Sequence, residues 1–207
     1  MKAPSSRLKA PVKTGKAFPI SFYARPTIEV ARDLLGAVLV HQAPEGRTAG
    51  RIVETEAYLR DDPACHAFRG PTPRTQIMFG PPGRAYIYLI YGMYDCFNVV
   101  TAPAGTGEAV LIRALEPLEG LPLMARRRGT ERPKDWCSGP GKLVIAMGIG
   151  RQQNGADLRG RAGSALSILS LGDAPGNVKV TTRIGINKAA HLPLRFYLEG
   201  NAFISKA

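Results

Sequence analysis

Acid is scarce in this sequence: 16 Asp and Glu stand against 28 Lys and Arg in 207 residues, a formal net charge of +12. The first sixteen residues, "MKAPSSRLKAPVKTGK", hold five Lys or Arg and no acid, so a surplus of seven falls on the remainder. A basic body of this kind suits a polyanion, either nucleic acid or an acidic membrane surface. Cysteine is scarce too. Cys65, Cys96 and Cys137 are odd in number and widely spaced, which argues against a disulfide framework and suits free thiols in a reducing compartment. The spacing of cysteine and histidine offers no zinc site. No apolar run reaches spanning length; the longest, Ile87 to Met93, is stopped by Asp95. The basic opening stretch lacks the apolar segment of a secretory signal, and residues 1–17 read as a flexible arm that adds phosphate attraction. Repeats and low-complexity linkers are also missing. One domain, residues 18–207, is expected.

What is present is a globular share of apolar residues, 44%, arranged in alternating segments. "RPTIEVARDLLG" reads as a short helix capped by Thr27, with Glu29 in its first turn and Gly36 at its end. "AVLVHQ" and "RIVETEAYL", separated by the turn-rich "APEGRTAG", read as a hairpin. Residues 60–84 form a long irregular loop, and loops of that length usually do something. Strands follow at 85–91, 96–101 and 108–115, and helices near 118–128 and 139–149. "ALSILSL", "VKVTTRIGI" and "LRFYLEGNAFIS" read as strands again. The sum is one α+β domain with a mainly antiparallel sheet.

Two stretches carry candidate chemistry. In "VETEAY", Glu54, Glu56 and Tyr58 share one face of a strand, with Val53, Thr55 and Ala57 on the other. Two carboxylates on a buried face are expensive. The face is therefore either solvated or turned toward a cleft where a carboxylate serves as a general base, with His66 close by in the following loop. "YIYLIYGMY", residues 86–94, gathers four of the seven tyrosines. Tyr86 and Tyr88 suit a half-buried strand face. Tyr91 stands where the chain turns back and has little to bury against, which suits stacking on a base or a wedge between base pairs. "SGPGKL" lacks the first glycine and the Ser/Thr of a phosphate loop, yet it can open a helix that receives one phosphate with Lys142 assisting. "GIGRQQNG" places Gln153 where a dinucleotide fingerprint needs glycine. "ARRRG" at 125–129 adds to the positive surface.

The blocks "ARDLLGAVLV", "IVETEAY", "TPRTQIMF", "YIYLIYGMYDCFNV", "VLIRALEPLEG", "CSGPGKL", "RIGI" and "LRFYLEGNAFIS" occur in an order that resembles the alkyladenine (3-methyladenine) DNA glycosylases, over about residues 18–205. That resemblance implies a single α+β domain with a curved antiparallel sheet, flanking helices and a protruding hairpin. It also implies a partner in duplex DNA containing alkylated or deaminated purines, and excision of the alkylated purines without metal or organic cofactor. Residue by residue, it makes Glu56 the general base and lines the pocket for the flipped base with Tyr58, His66 and Tyr88. Tyr91 fills the vacated stack, and Asn98 obstructs the exocyclic amine of normal guanine. Arg113 and the backbone carbonyl of Ile184 help hold the attacking water, while Arg74, Tyr94 and Lys142 lie near the DNA backbone. Asp95 departs from the family pattern, because the relatives carry an aromatic there.

The chemistry agrees with those assignments. Rotating a nucleotide out of a duplex costs ~ a few kcal/mol, and a ring entering the gap restores part of the lost stacking. Cationic alkylpurines are attracted to aromatic faces and are good leaving groups. A carboxylate then both stabilises the oxocarbenium-like sugar and deprotonates water. No lysine sits where a Schiff base would form, so a monofunctional enzyme that leaves an abasic site is expected. Two other classes fit less well: a lesion-binding module that does not cut, and an RNA-binding or RNA-modifying domain. A monomer with no membrane partner is expected, in the cytoplasm of a bacterium or the nucleus of a eukaryote.

Overall fold

The structure is a computed structural model and describes residues 15–90, 92–172 and 174–206. Among them nine strands run in chain order: β1 (Lys16–Ala17), β2 (Val38–Ala43), β3 (Gly46–Tyr58), β4 (Ala85–Ile90), β5 (Tyr94–Thr101), β6 (Glu108–Glu119), β7 (Leu166–Ser170), β8 (Val178–Thr181) and β9 (Arg195–Leu198). Four helices accompany them: α1 (Ile20–Tyr23), α2 (Thr27–Asp33), α3 (Leu121–Arg128) and α4 (Pro140–Met147). The strands form one antiparallel sheet in the order β1-β7-β2-β3-β6-β5-β4, with β9 joining β3 to β8. The α+β reading and its mainly antiparallel, curved sheet hold.

Strand β3 organises the molecule. One edge pairs with β6 along most of its length. The other edge pairs with β2 from Gly46 to Arg51 and then with β9 from Glu54 to Glu56. The sheet therefore forks where the two glutamates lie.

Side chains of the central strands alternate between two environments, as period-two geometry requires. Val53, Ala57, Ala85, Ile87, Phe97, Val99, Val110 and Ile112 face the helices and join the main core with Val30, Ala31, Leu143, Val144 and Met147. Each fully buried Val, Leu, Ile, Phe or Met among them contributes roughly 1.5–3 kcal/mol. The opposite face carries Tyr58, Tyr86, Tyr88, Val100 and Ala109, against which Cys65, Ala67 and Met78 of the loop after β3 are packed. That loop is partly ordered into short 3₁₀ turns at His66–Arg69 and Gln76–Phe79.

Several local expectations are corrected. Thr27 does not cap its helix: Pro26 precedes the first turn, and the Thr27 hydroxyl donates to Glu108 Oε2 at 2.5 Å and lies 2.7 Å from Thr101 Oγ1. A long-range partner has outcompeted the local backbone. The turn between β2 and β3 is short, because Arg47–Gly50 continue the ladder. Likewise Leu118 and Glu119 extend β6, with Ala49 opposite Glu119, so α3 starts only after Gly120. Gly120 sits at φ +74°, and a Cβ there would come 2.4 Å from the Arg47 carbonyl oxygen. Lys16 and Ala17, read as part of the arm, pair with Ser170 and Leu169 at the sheet edge. The closing strands are shorter than read, four residues each.

Candidate active site

A cavity of about 240 Å³ opens on the sheet face opposite the helices. Four neighbouring strands supply its floor: Tyr58 from β3, Leu111 and Arg113 from β6, Cys96 and Asn98 from β5, Tyr86 and Tyr88 from β4. His66 and Met78 close it from the loop after β3, and Ile184 to Ile186 from the segment after β8. Its volume lies below the ~300–1,000 Å³ of drug-sized pockets, and its walls are rings. His66 meets Tyr88 edge-on with centroids 4.4 Å apart, and Tyr86 and Tyr88 lie 5.4 Å apart and tilted by 33°. Such walls suit one flat heteroaromatic ring.

The two glutamates are wholly buried, so the solvated reading of their face is wrong. Their burial is possible because two arginines come with them. Glu56 Oε1 accepts from the Ile184 N–H at 3.0 Å and lies 3.2 Å from Arg113 Nη1, while Oε2 accepts from the Tyr58 hydroxyl at 2.9 Å. Glu54 pairs with Arg195 at 2.6 Å and with Arg113 Nε at 3.3 Å. Glu56 itself stands directly behind the cavity wall, and the three groups that hold it, Tyr58, Arg113 and Ile184, all line the cavity. Burial pushes its carboxyl above the usual carboxylate range, against the opposing pull of Arg113, Ile184 and Tyr58; the Glu54 charge adds to the rise.

Local irregularity puts Arg113 in reach of both acids. Between β3 and β6 the register passes from Ile52 opposite Leu115 to Glu54 opposite Ala114, then to Thr55 opposite Ile112. Val53 and Arg113 are thus each left without a partner in the ladder. Bulges of this kind re-aim a side chain next to a site.

The ring wall is electrostatically biased. His66 keeps an exposed edge, yet the loss of water around the rest of the ring and the nearby Arg74 push its pKa down to about 4, so it is neutral at pH 7. Its Nδ1 lies 3.0 Å from the Tyr86 hydroxyl. Burial, reinforced by Glu56, raises Tyr58 and keeps it a donor. Asn98 donates through Nδ2 to the Tyr86 carbonyl at 3.0 Å, which fixes the amide across the β4–β5 pair. Among the described residues no three of His, Cys, Asp and Glu converge as metal ligands.

Of the three residues expected at the DNA backbone, Tyr94 and Lys142 lie together at the hairpin and the start of α4. Tyr94 is exposed and packs on Gly141, where a Cβ would come 3.2 Å from the tyrosine Cβ. Lys142 lies one residue on, its Nζ 3.4 Å from Ser138 Oγ. Asp95 turns to Arg151, 3.4 Å away. Arg74 stands elsewhere, its guanidinium 5.0 Å above the Tyr88 ring. Tyr91 lies outside the described residues.

Sequence reading left several site groups unassigned. Tyr86 and Cys96 carry the same alternation signal as Tyr88 and Asn98. Arg183 and Asp62 carry none: they form a buried ion pair across 121 positions, with Arg183 4.7 Å above the Tyr58 ring and donating to the Ala57 carbonyl. This pair anchors the segment that delivers Ile184 to Glu56.

Comparison with known proteins gives the same direction. The profile of the family described as methylpurine-DNA glycosylase matches residues 21–202. A protein of Methanoculleus marisnigri is 55% identical over 192 residues, 91% of this chain and 98% of its own length. One of Carboxydothermus hydrogenoformans is 48% identical over 190 residues, with the same coverage. Both bear the name "Putative 3-methyladenine DNA glycosylase". With a ring-walled cavity backed by a buried acid and arginine, and a family match over nearly all its length, this chain belongs to the methylpurine-DNA glycosylases.

Proposed function

We propose that this protein is a monofunctional DNA glycosylase that flips methylated purines out of duplex DNA and hydrolyses the N-glycosidic bond, leaving an abasic site. The observation that carries this reading is the buried Glu56, held by Tyr58, Arg113 and Ile184 at the back of a cavity sized for one base. The flipped base lies among Tyr58, His66, Tyr86 and Tyr88, whose faces favour an electron-poor, cationic ring. Asn98 screens the exocyclic amine of guanine. Bond cleavage builds positive charge on the sugar, which the Glu56 carboxylate stabilises while it takes a proton from water. The water lies against Arg113 and the Ile184 carbonyl. For Glu56 to accept that proton, the Tyr58 hydroxyl gives up Oε2.

Around the cavity, Tyr94 and Lys142 approach the phosphates near the α4 N-terminus, Arg74 approaches them from the loop, and Tyr91 occupies the gap in the stack. The protein acts as a monomer and needs no cofactor. It works on the chromosome, in the bacterial cytoplasm or the eukaryotic nucleus; among the described residues no helix is long and apolar enough to cross a membrane.

Glu56→Gln tests the core of this reading. Single-turnover release of methylated purines from methylated duplex DNA falls by at least ~10²-fold, the lower end of general-base contributions. Affinity for the same DNA changes little. Normal release by that variant would falsify the assignment of the base.

A further inference from the structure

Glu54 is the second acid of the site, and the proposed hydrolysis gives it no role. Its surroundings are nevertheless complete. Oε1 accepts from Arg195 Nε at 2.6 Å and from the Ser205 hydroxyl at 2.9 Å; Oε2 accepts from the Ser205 backbone N–H at 2.6 Å. Arg195 also donates to the Lys206 carbonyl. The Ser205 hydroxyl accepts from Arg113 Nε at 3.1 Å. Arg113 is thus gripped along its Nε edge by Glu54 and Ser205, while its Nη1 is turned to Glu56 at 3.2 Å.

We propose that Glu54, Arg195 and Ser205 form a positioning cluster that holds Arg113 between two carboxylates and divides its charge between them. The inference rests on Glu56 as the general base. Three elements meet here: β3 brings both acids, β6 brings Arg113 at its bulge, and β9 brings Arg195. Two cations face two anions, so removing any one of the four leaves the cluster with a net charge, whereas removing one of each sign does not. The other groups that bear on Glu56 are Tyr58, the Ile184 N–H and, more distantly, Cys96 of β5. Neither Tyr58 nor Cys96 is charged at neutral pH, because burial raises both. The sharing of Arg113 is therefore the main adjustable term in how tightly Glu56 holds a proton.

The sign follows from charge. Removing the negative charge of Glu54 gives Glu56 the undivided Arg113, which favours its ionised form and carries the acid limb of the pH–rate profile to lower pH. Removing Arg195 leaves Glu54 to draw on Arg113, and the limb moves to higher pH. A single nearby charge shifts such a limb by about one pH unit or more.

The experiment is single-turnover release of methylated purines from methylated duplex DNA across pH, for wild type, Glu54→Gln, Arg195→Gln and the double variant, with melting temperatures alongside. The single variants move the acid limb in opposite directions and the double variant returns it toward wild type, because the charge balance is restored. Arg195→Gln strips a buried carboxylate of its cation and is the variant that can fail to fold. Glu54→Gln keeps the test decisive, since the amide oxygen still accepts the Ser205 N–H. Ser205→Ala slows release several-fold, and Ser205→Thr restores it. An acid limb that stays at its wild-type pH in Glu54→Gln, with only the melting temperature changed, overturns the cluster. Glu56→Gln separates the two levels. Full release by that variant overturns the base assignment, whereas its loss together with an unmoved limb in Glu54→Gln overturns the positioning role alone.

Discussion

At the scale of single residues, Glu56 carries a conflict between stability and chemistry. Its carboxyl is raised in the folded protein, mainly by burial, so the folded state binds its proton more tightly than the unfolded chain does. The sign of the linkage follows: this contribution to stability is present below the unfolded pKa and is lost as pH rises through the folded one. At neutral pH the ionised acid is a net cost. Glu56→Gln should therefore melt higher than wild type near pH 7, with the gain shrinking as the pH is lowered, each ~1 kcal/mol reading as about 2–4 °C. Thermal melts of both proteins at acid and neutral pH check it; a lower melting temperature for the variant at neutral pH would show that the carboxylate is a net stabiliser. Much of this neighbourhood was legible in the residues. "VETEAY" and "YIYLIY" each place their chemistry on alternate positions, and the structure puts Tyr58, Tyr86 and Tyr88 on one wall with Glu56 behind it. The burial of both acids was not legible, because the arginines that permit it come from β6 and β9, far along the chain.

At the scale of elements, the site depends on contacts that alternation does not announce. The segment after β8 reaches Glu56 because Arg183 is buried against Asp62 and the Ala57 carbonyl. Breaking a buried pair by removing one partner costs ~3–5 kcal/mol. Asp62→Asn should lower stability by about that much and slow base release, since Ile184 loses its anchor; chemical denaturation and single-turnover assays check the two effects together. Nothing local marks this pairing, nor the twin irregularity at Val53 and Arg113, which occurs without glycine. The Thr27 cap shows the reverse error: the local rule was right in kind, but Glu108 and Thr101 offered the hydroxyl a better partner. By contrast "SGPGKL" does open a helix, and the hairpin rests on it through Tyr94 and Gly141.

At the scale of the whole molecule, a net charge of +12 sets how the protein meets a polyanion. Lys142, beside the hairpin, should act through phosphate alone. Lys142→Ala should weaken binding to damaged and undamaged duplexes alike and reduce the salt slope of log K by about 1. Titrations at several salt concentrations check it, and altered lesion preference would place the lysine in the pocket instead. The α+β class and the antiparallel sheet followed from the spacing of apolar residues, while the fork of β3 between β2 and β9 did not, because pairing across 141 positions leaves no mark in either strand.

The same four strands hold up the core on one side and the ring-lined wall of the cavity on the other, and this restricts how such a gene can drift. Losing or gaining a single codon inside β3, β4, β5 or β6, unless a bulge like that at Val53 and Arg113 absorbs it, would invert everything downstream in that strand, turning Val53 or Ala57 outward and driving an acid into hydrocarbon. Changes of length are consequently better tolerated in the turns and in the loops after β3 and β8, which also close the cavity.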